Sequence, residues 1–257
     1  PFTLKGTGIA LTGGITNNSM LLQTNNLDLQ AGNLVVSVAN AGTLILNGVV
    51  ASTNGSLTKV GAGTVVLNGL NTYPEGTTIS QGTVRIPAAG RLGAPGGPLY
   101  MDGGTLQIGN LMTLANRAIT LYQGGGTFTL DQISYLTVTN NISGPGALTK
   151  AGPGALVLKG AVTSAGPAVV LGGTLYVDGA MSGPVSVTVY SGGTLGGSGS
   201  ILGDLTIQDG GTLAPGTNDV HGPSTLSVSN LTLNPDSILR MDLNVPGVLG
   251  DTNDLVL

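Results

Sequence analysis

The chain has 257 residues, of which 45 are glycine, 8% are charged and none is cysteine, and its formal net charge at pH 7 is −4. The eight Lys and Arg residues are scattered, which excludes nucleic-acid binding by phosphate neutralisation, and the lack of cysteine excludes disulfides, zinc–thiolate sites and thiol nucleophiles. Hydrophobic residues still make up 40% of the chain, so an ordered protein built from aliphatic residues and turns is expected.

Short strand motifs that begin with glycine recur from residue 42 onward. Successive motifs start about 20 residues apart in most cases, and a fixed period of that length indicates a repeat architecture. In chain order the motifs are GTLIL at Gly42, GTVVL at Gly63, GTVRI at Gly82, GTLQI at Gly104, GTFTL at Gly126, GALVL at Gly154, GTLYV at Gly173, GTLGG at Gly193 and GTLAP at Gly211.

Within each motif, apolar and variable residues alternate as they do in a strand. Val65 and Leu67 share one face of the motif at Gly63, and Val84 and Ile86 share one face of the motif at Gly82, where Arg85 lies on the other. Aliphatic residues thus keep one face while the chemistry of the other changes. This pattern is typical of a coil with a filled interior and a solvated exterior.

About 20 residues accommodate three short strands and three turns. We therefore predict an all-β fold, a parallel β-helix in the form of a three-sided solenoid with about 20 residues per rung. A β-sandwich, which also alternates, is the alternative. No linker divides the chain, so a single β-helical segment over residues 1–257 is expected, and Pro1 and the final DTNDLVL (251–257) suggest truncation at both ends.

One stretch of the chain occurs twice. GSLTKVGAGTVVLNG (55–69) and GALTKAGPGALVLKG (146–160) align without a gap at a separation of 91 residues. Residues 55–86 closely resemble the passenger-associated repeat of bacterial autotransporters, the type V secreted proteins. Residues 146–177 resemble it at both ends but lack the N-T-Y and G-T-T elements, and residues 210–244 resemble the late passenger region.

This resemblance implies a right-handed parallel β-helix that is secreted by, or displayed on the cell surface of, a Gram-negative bacterium. Passengers of the family are mostly adhesins, self-associating factors, toxins or stalks that carry a separate enzyme domain. The resemblance is specific for the family and says little about an activity.

Candidate nucleophiles and bases are few. The lone histidine, His221, lies near Asp219 and Ser224 in GTNDVHGPS, but a base and a nucleophile three residues apart in a Gly/Pro turn rarely align as a triad needs. A serine–lysine pair at Lys59 or Lys150 is conceivable. Both lysines lie beside glycine-rich corners, so a solvated position or a cap on backbone carbonyls is the favoured interpretation.

Glycan-cleaving enzymes on this fold need converging carboxylates. The chain offers Asp204 with Asp209 and Asp251 with Asp254, each without an obvious basic companion. DTND and GTND carry possible calcium ligands, but such turns are common for backbone reasons, and GSGSILG (197–203) lacks the features of a phosphate loop. We predict no catalytic, cofactor-binding or metal residues.

The favoured function is that of a non-enzymatic adhesin or structural stalk that binds host or neighbouring-cell surfaces. Its expected partner is a host or bacterial cell-surface protein or glycan, or a second copy of the chain. No nucleic acid is expected as a partner, because the basic residues are few and scattered. No membrane insertion by this segment is expected, because the chain has no run of 18 apolar residues. A self-associating module and a polysaccharide lyase or glycosidase are the alternatives.

Overall fold

The fold is described by a computed structural model that places residues 2–3, 8–13, 20–23, 26–38, 42–183, 186–216, 224–241 and 255–256. Over these residues the chain forms a β-solenoid with about 21 residues per turn. The strands pair in parallel with strands one turn before or after them. This confirms the parallel β-helix and rejects the β-sandwich, whose sheets are antiparallel.

Each turn has three sides, here named A, B and C in chain order. Side A continues beyond its regular strands through bridges of Val162 to Ile142 and to Met181, and β23 pairs with the start of β26. Its strands are β2 (Gly8–Gly13), β5 (Asn33–Val38), β8 (Leu57–Val60), β10 (Thr77–Ile79), β12 (Leu99–Met101), β15 (Ile119–Leu121), β18 (Ile142–Ser143) and β23 (Ala180–Met181).

Side B is the longest sheet. Its last two long strands pass from side A to side B around a corner, with a register shift between Ile201 and Asp204, and the first residues of β28 pair with β30 (Leu255–Val256). Its strands are β3 (Met20–Gln23), β6 (Thr43–Leu46), β9 (Thr64–Leu67), β11 (Thr83–Ile86), β13 (Gly104–Ile108), β16 (Gly126–Leu130), β19 (Leu148–Ala151), β21 (Ala168–Val170), β24 (Val187–Val189), β26 (Ser200–Ile207) and β28 (Thr225–Leu233).

Side C consists of two separate sheets. The first contains β1 (Phe2–Thr3), β4 (Leu27–Asp28) and β7 (Val50–Ala51). The second contains β14 (Leu111–Leu114), β17 (Tyr135–Val138), β20 (Ala155–Leu158), β22 (Gly173–Val177), β25 (Gly193–Gly196), β27 (Thr212–Leu213) and β29 (Ile238–Leu239).

Two successive turns of the chain separate these sheets of side C. There Thr72 N donates to Val50 O at 3.0 Å, and Ala94 N donates to Tyr73 O at 3.0 Å, but neither segment forms a strand. A 3-10 turn, Ala89–Arg91, occupies the second of the two. The second sheet of side C therefore begins at β14 and is not continuous with the first sheet.

The interior of the solenoid is filled by the predicted aliphatic positions. Val65, Leu67, Val84 and Ile86 are fully buried, and Arg85 is exposed, so the predicted faces are confirmed. Corners between sides need glycine where carbonyls converge. Gly82 has a φ of +68°, and a Cβ there would lie 2.4 Å from the carbonyl oxygens of Gly61 and Gly63, a contact that no other residue type avoids.

Candidate functional site

The lysine of the first repeat copy lies inside the solenoid. Lys59 has no solvent exposure, because it lies within β8 on side A at a position of the buried face. Its ammonium group sits at the corner between sides A and B. There Nζ donates to the carbonyl oxygens of Val60 at 2.8 Å, of Gly61, and of Gln81 in the next turn at 3.1 Å.

The lysine of the second copy repeats this geometry. Lys150 is also fully buried, and its Nζ donates to the carbonyl oxygens of Ala151, Gly152 and Gly172 at 2.9, 2.8 and 2.9 Å. The acceptors thus occupy the same relative positions as in the first copy. An ammonium group has three N–H donors, so each lysine is matched by three acceptors and ties one turn to the next.

Burial determines the acid–base behaviour of both lysines. It lowers the pKa of Lys59 and of Lys150 to about 8, because a charged ammonium is less stable away from water. In the described part of the chain neither lysine contacts a carboxylate or a nucleophilic hydroxyl. Of the two interpretations offered by the sequence, the cap on backbone carbonyls is confirmed and the solvated position is wrong.

A second buried polar cluster is built by the N-T-Y element of the first copy, residues 71–73, and by Thr77. Asn71 accepts from Val50 N at 2.8 Å and donates to Arg91 O at 2.7 Å, so one amide links three turns. The hydroxyl groups of Tyr73 and Thr77 are 2.9 Å apart, and Thr77 donates to Leu92 O at 3.1 Å. Burial raises the pKa of the Tyr73 phenol above its ordinary value. These residues hold the irregular part of side C.

Arg117 completes this cluster and was not singled out by the sequence. Its side chain is buried, and its terminal nitrogens donate to the carbonyl oxygens of Leu92, Gly93, Ala94 and Gly97. Burial lowers the pKa of its guanidinium. The only signal in the sequence was an arginine placed between apolar and small residues in LANRAIT, which does not reveal four carbonyl partners.

The carboxylates proposed as a possible glycan-cleaving pair do not converge on a shared site. Asp204 is exposed and accepts from Asn230 Nδ2 at 2.8 Å, one turn away. Asp209 is exposed and its Oδ1 accepts from the backbone N–H of Asp236 at 3.3 Å. Each carboxylate therefore has a separate partner on the surface. Within the described residues there is no group of three or more His, Asp or Glu side chains that could hold a metal ion.

Other candidates fall partly outside the described residues. Asp219, His221, Asp251 and Asp254 belong to that undescribed part, so the structure does not test a triad or either Asp-containing turn. Ser224 is described, directly before β28, and is partly buried. The segment GSGSILG (197–203) enters β26, and no helix follows it in the described chain.

The outer face of side B carries a continuous row of threonines. The six residues pair in register from turn to turn and are each half-buried. Neighbouring members are about 4.8 Å apart, the spacing of paired strands. This threonine row consists of Thr43, Thr64, Thr83, Thr105, Thr127 and Thr149.

Beside the threonine row lies an ion pair that crosses two turns. Arg85 contacts Asp131 at 3.1 Å, and Gln107 donates to the same carboxylate at 3.0 Å. The hydrogen bond from Gln107, followed by the contact with Arg85, lowers the pKa of Asp131. Side B is therefore a long, regular surface with hydroxyl groups and few charges. It can offer repeated hydrogen-bond partners to a ligand.

Comparison with known proteins shows what this chain is similar to. The family described as Passenger-associated-transport-repeat matches residues 57–86 and 148–177. An 82-residue stretch is 45% identical to the Adhesin BmaC autotransporter of Brucella suis biovar 1, and it covers 32% of this chain and 2% of that protein. A 100-residue stretch is 37% identical to the Extracellular serine protease of Serratia marcescens, and it covers 39% of this chain and 9% of that protein. No solved structure matches the chain.

The family matches coincide with the two copies of the repeated stretch, whose strands build successive turns of the solenoid. Together with the fold they support an autotransporter passenger domain. Passengers of this type are surface-exposed or secreted in Gram-negative bacteria, and the adhesin relative supports a surface adhesin-like passenger. The chain spans only a small part of both relatives' length. Among the described residues, no helix is long and apolar enough to cross a membrane.

Proposed function

We propose that this segment is a non-enzymatic adhesin whose side B binds a protein or glycan on a host or neighbouring bacterial cell. The observation that carries the proposal is the threonine row, which presents half-buried hydroxyl groups at a regular spacing over six consecutive turns. A repeated hydroxyl surface can form many weak hydrogen bonds with a repetitive ligand. Binding of that kind gains strength from multivalency rather than from one deep pocket.

The similarity to the Adhesin BmaC autotransporter supports the same proposal. The buried lysines add to it, because the charged side chain shared by the two copies is used within the scaffold rather than at its surface. The side chains on the exposed surface are then available to bind a cell-surface ligand. The protease relative makes an enzyme the competing function.

The test compares an outward threonine of side B with one of side C. Purified protein coupled to fluorescent beads is offered to cultured epithelial cells, to other bacteria and to an array of glycans. We expect Thr105→Lys to lower bead binding, because a bulky charge interrupts the threonine row. Thr174→Lys, a half-buried outward threonine on side C, serves as the matched control and should leave binding unchanged.

Equal losses in both variants, or no loss in either, would contradict recognition by side B. Cleavage of casein or of a polysaccharide panel by the purified protein would contradict the non-enzymatic part of the proposal. Self-association is assessed in the same preparation by sedimentation at rising concentration. A dimer that is lost in Thr105→Lys would assign side B to a second copy instead.

A further inference from the structure

The threonine row of side B continues beyond its six members. Four further residues follow in the same register, one in each of the next four turns, and three of them are threonines. The fourth is a valine, whose side chain has the same branched shape. They are Val169, Thr188, Thr206 and Thr232. The ten residues, here named the extended row, therefore form one uninterrupted line over ten consecutive turns.

The outer faces of sides A and C do not offer such a line. On side A, Tyr100 stands in register between Thr78 and Thr120, and its ring stacks on that of Tyr122 with 5.8 Å between the ring centroids. On side C, the row that contains Thr174 begins with a tyrosine and an alanine. Within the described surface, side B thus carries the longest row of side chains with one size and shape.

The charge along the extended row is zero, because its members are threonines and one valine. The ion pair beside it combines the opposite charges of Arg85 and Asp131 at 3.1 Å. A threonine hydroxyl both donates and accepts hydrogen bonds. An uncharged ligand with many donors and acceptors therefore complements this surface better than a strongly charged one.

The spacing of the extended row selects among polypeptide ligands. Paired strands lie about 4.8 Å apart, so the row spans about 43 Å. An α-helix repeats every 5.4 Å or so, and residues on one face of an extended strand repeat every 6.6–6.8 Å or so, so both lose register with the row after a few turns. A polyproline II helix, with about 9.3 Å per turn, meets at best every second threonine.

A cross-β fibre has the same spacing as the extended row. Its chains stack about 4.7–4.8 Å apart along the fibre axis and present ladders of identical side chains. With its axis parallel to that of the solenoid, such a fibre opposes each turn with one chain, so a hydrogen bond made at one threonine can be repeated at the next. We propose that the extended row binds a cross-β protein fibre that displays a ladder of uncharged polar side chains. This inference rests on the proposed adhesion by side B and specifies its ligand.

The probe is a fibre grown from a synthetic peptide of about 30 glutamines, because glutamine side chains form uncharged ladders in cross-β structure. Purified protein is mixed with increasing amounts of fibre, and the fraction that sediments with the fibre gives the affinity. The same peptide, kept monomeric and labelled with fluorescein, is titrated by fluorescence polarisation. Cellulose particles provide an uncharged polymer of another class.

We expect the protein to bind the fibre and to bind the monomeric peptide at least about 100-fold more weakly, because one chain cannot engage successive threonines. Thr105→Lys should weaken fibre binding at least about ten-fold, because it places a charge within the row and divides it. Thr174→Lys, on side C, should bind as the unchanged protein does. Thr105→Val keeps the contour, as Val169 does in the extended row, and should lose less affinity than Thr105→Lys.

Equal affinity for fibre and monomer, or stronger binding to cellulose than to the fibre, would overturn the inference. The comparison of fibre and monomer needs no variant, so a folding defect in Thr105→Lys leaves the test intact. If the fibre is not bound while attachment to cells still depends on Thr105, this inference fails and adhesion by side B stands. If neither cells nor fibres are bound through Thr105, both fail. A dimer that needs Thr105 and that the fibre does not dissociate would assign the row to a second copy of the chain and would also overturn the inference.

Discussion

The two copies of the repeated stretch differ in where they lie on the solenoid. In the first copy, β8 is on side A and β9 on side B, and in the second the corresponding β19 is on side B and β20 on side C. Four turns of about 21 residues leave about seven residues of the 91-residue separation, which is one side of the triangle. The repeat therefore specifies strand, corner and strand, whichever side of the solenoid it occupies.

The copies also differ in the residues that follow their second strand in the sequence. The first has Asn71, Tyr73 and Thr77, which are all buried and hydrogen-bonded. The corresponding residues 162, 164 and 168 of the second copy are Val, Ser and Ala, and of these Ser164 has a buried hydroxyl without a partner in the described structure. The lysine corner is thus retained where the polar cluster is not. The lysine is therefore a requirement of the corner between two strands, whereas the polar cluster is a requirement of the irregular part of side C.

The largest effect should come from a charge placed in the interior of either copy. Val84→Lys and Leu175→Lys occupy corresponding positions on sides B and C, and each residue is buried. Each variant should lose about 3–5 kcal/mol of unfolding free energy, because an unpaired charge is buried. Urea unfolding measures this. Arg85→Ala, on the outer face, should change it by about 0.5 kcal/mol or less, and similar losses in all three variants would contradict the assigned faces.

Tyr73→Ser should be nearly as damaging, since it gives the first copy the residue found in the second. The ring of Tyr73 is fully buried and its hydroxyl bonds to Thr77, so a loss of about 3 kcal/mol is expected from the cavity and the broken hydrogen bond. Thermal unfolding followed by circular dichroism measures it. A loss below about 1 kcal/mol would show that the side C cluster does not support the first copy.

Lys59→Met and Lys150→Met should cost about 1–3 kcal/mol each, because each leaves buried carbonyl oxygens without donors. The two losses should be equal within error, since both corners have the same three acceptors. Urea unfolding of the two single variants makes the comparison. Clearly unequal losses would show that the side of the solenoid, rather than the corner itself, determines the role of the lysine.

The same lysines should make stability depend on pH. Their pKa is about 8 in the folded protein and 10.5 ordinarily, so between these values the unfolded chain binds more protons and the unfolding free energy rises with pH. Above pH 10 the raised pKa of Tyr73 acts in the opposite direction, since the folded protein then keeps a proton that the unfolded chain releases. Urea unfolding from pH 7.5 to 10 should show the rise, and the double variant Lys59→Met/Lys150→Met should be flat over that range.

The smallest effect concerns Ser164. Its hydroxyl is buried without a partner in the described structure, so Ser164→Ala should leave stability unchanged or raise it by about 1 kcal/mol. The matched change in the first copy, Thr77→Ala, removes a bonded hydroxyl and should lower stability by about 1 kcal/mol. A thermal shift measurement on both variants decides, and a loss in Ser164→Ala would imply an unseen hydrogen bond at that corner.

The sequence by itself determined the fold class, the period, the faces of the strands and the family resemblance. These follow from alternation and from glycine spacing, which are local properties of the chain; Val84, Ile86 and Arg85 could be assigned for that reason. A single segment over residues 1–257 stays a prediction. Only the tertiary structure decided that Lys59 and Lys150 are buried, because their third acceptors lie 22 residues further on. It also decided that Arg117 donates to the carbonyls of a loop more than 20 residues earlier, since contacts between turns depend on which residues the winding brings together.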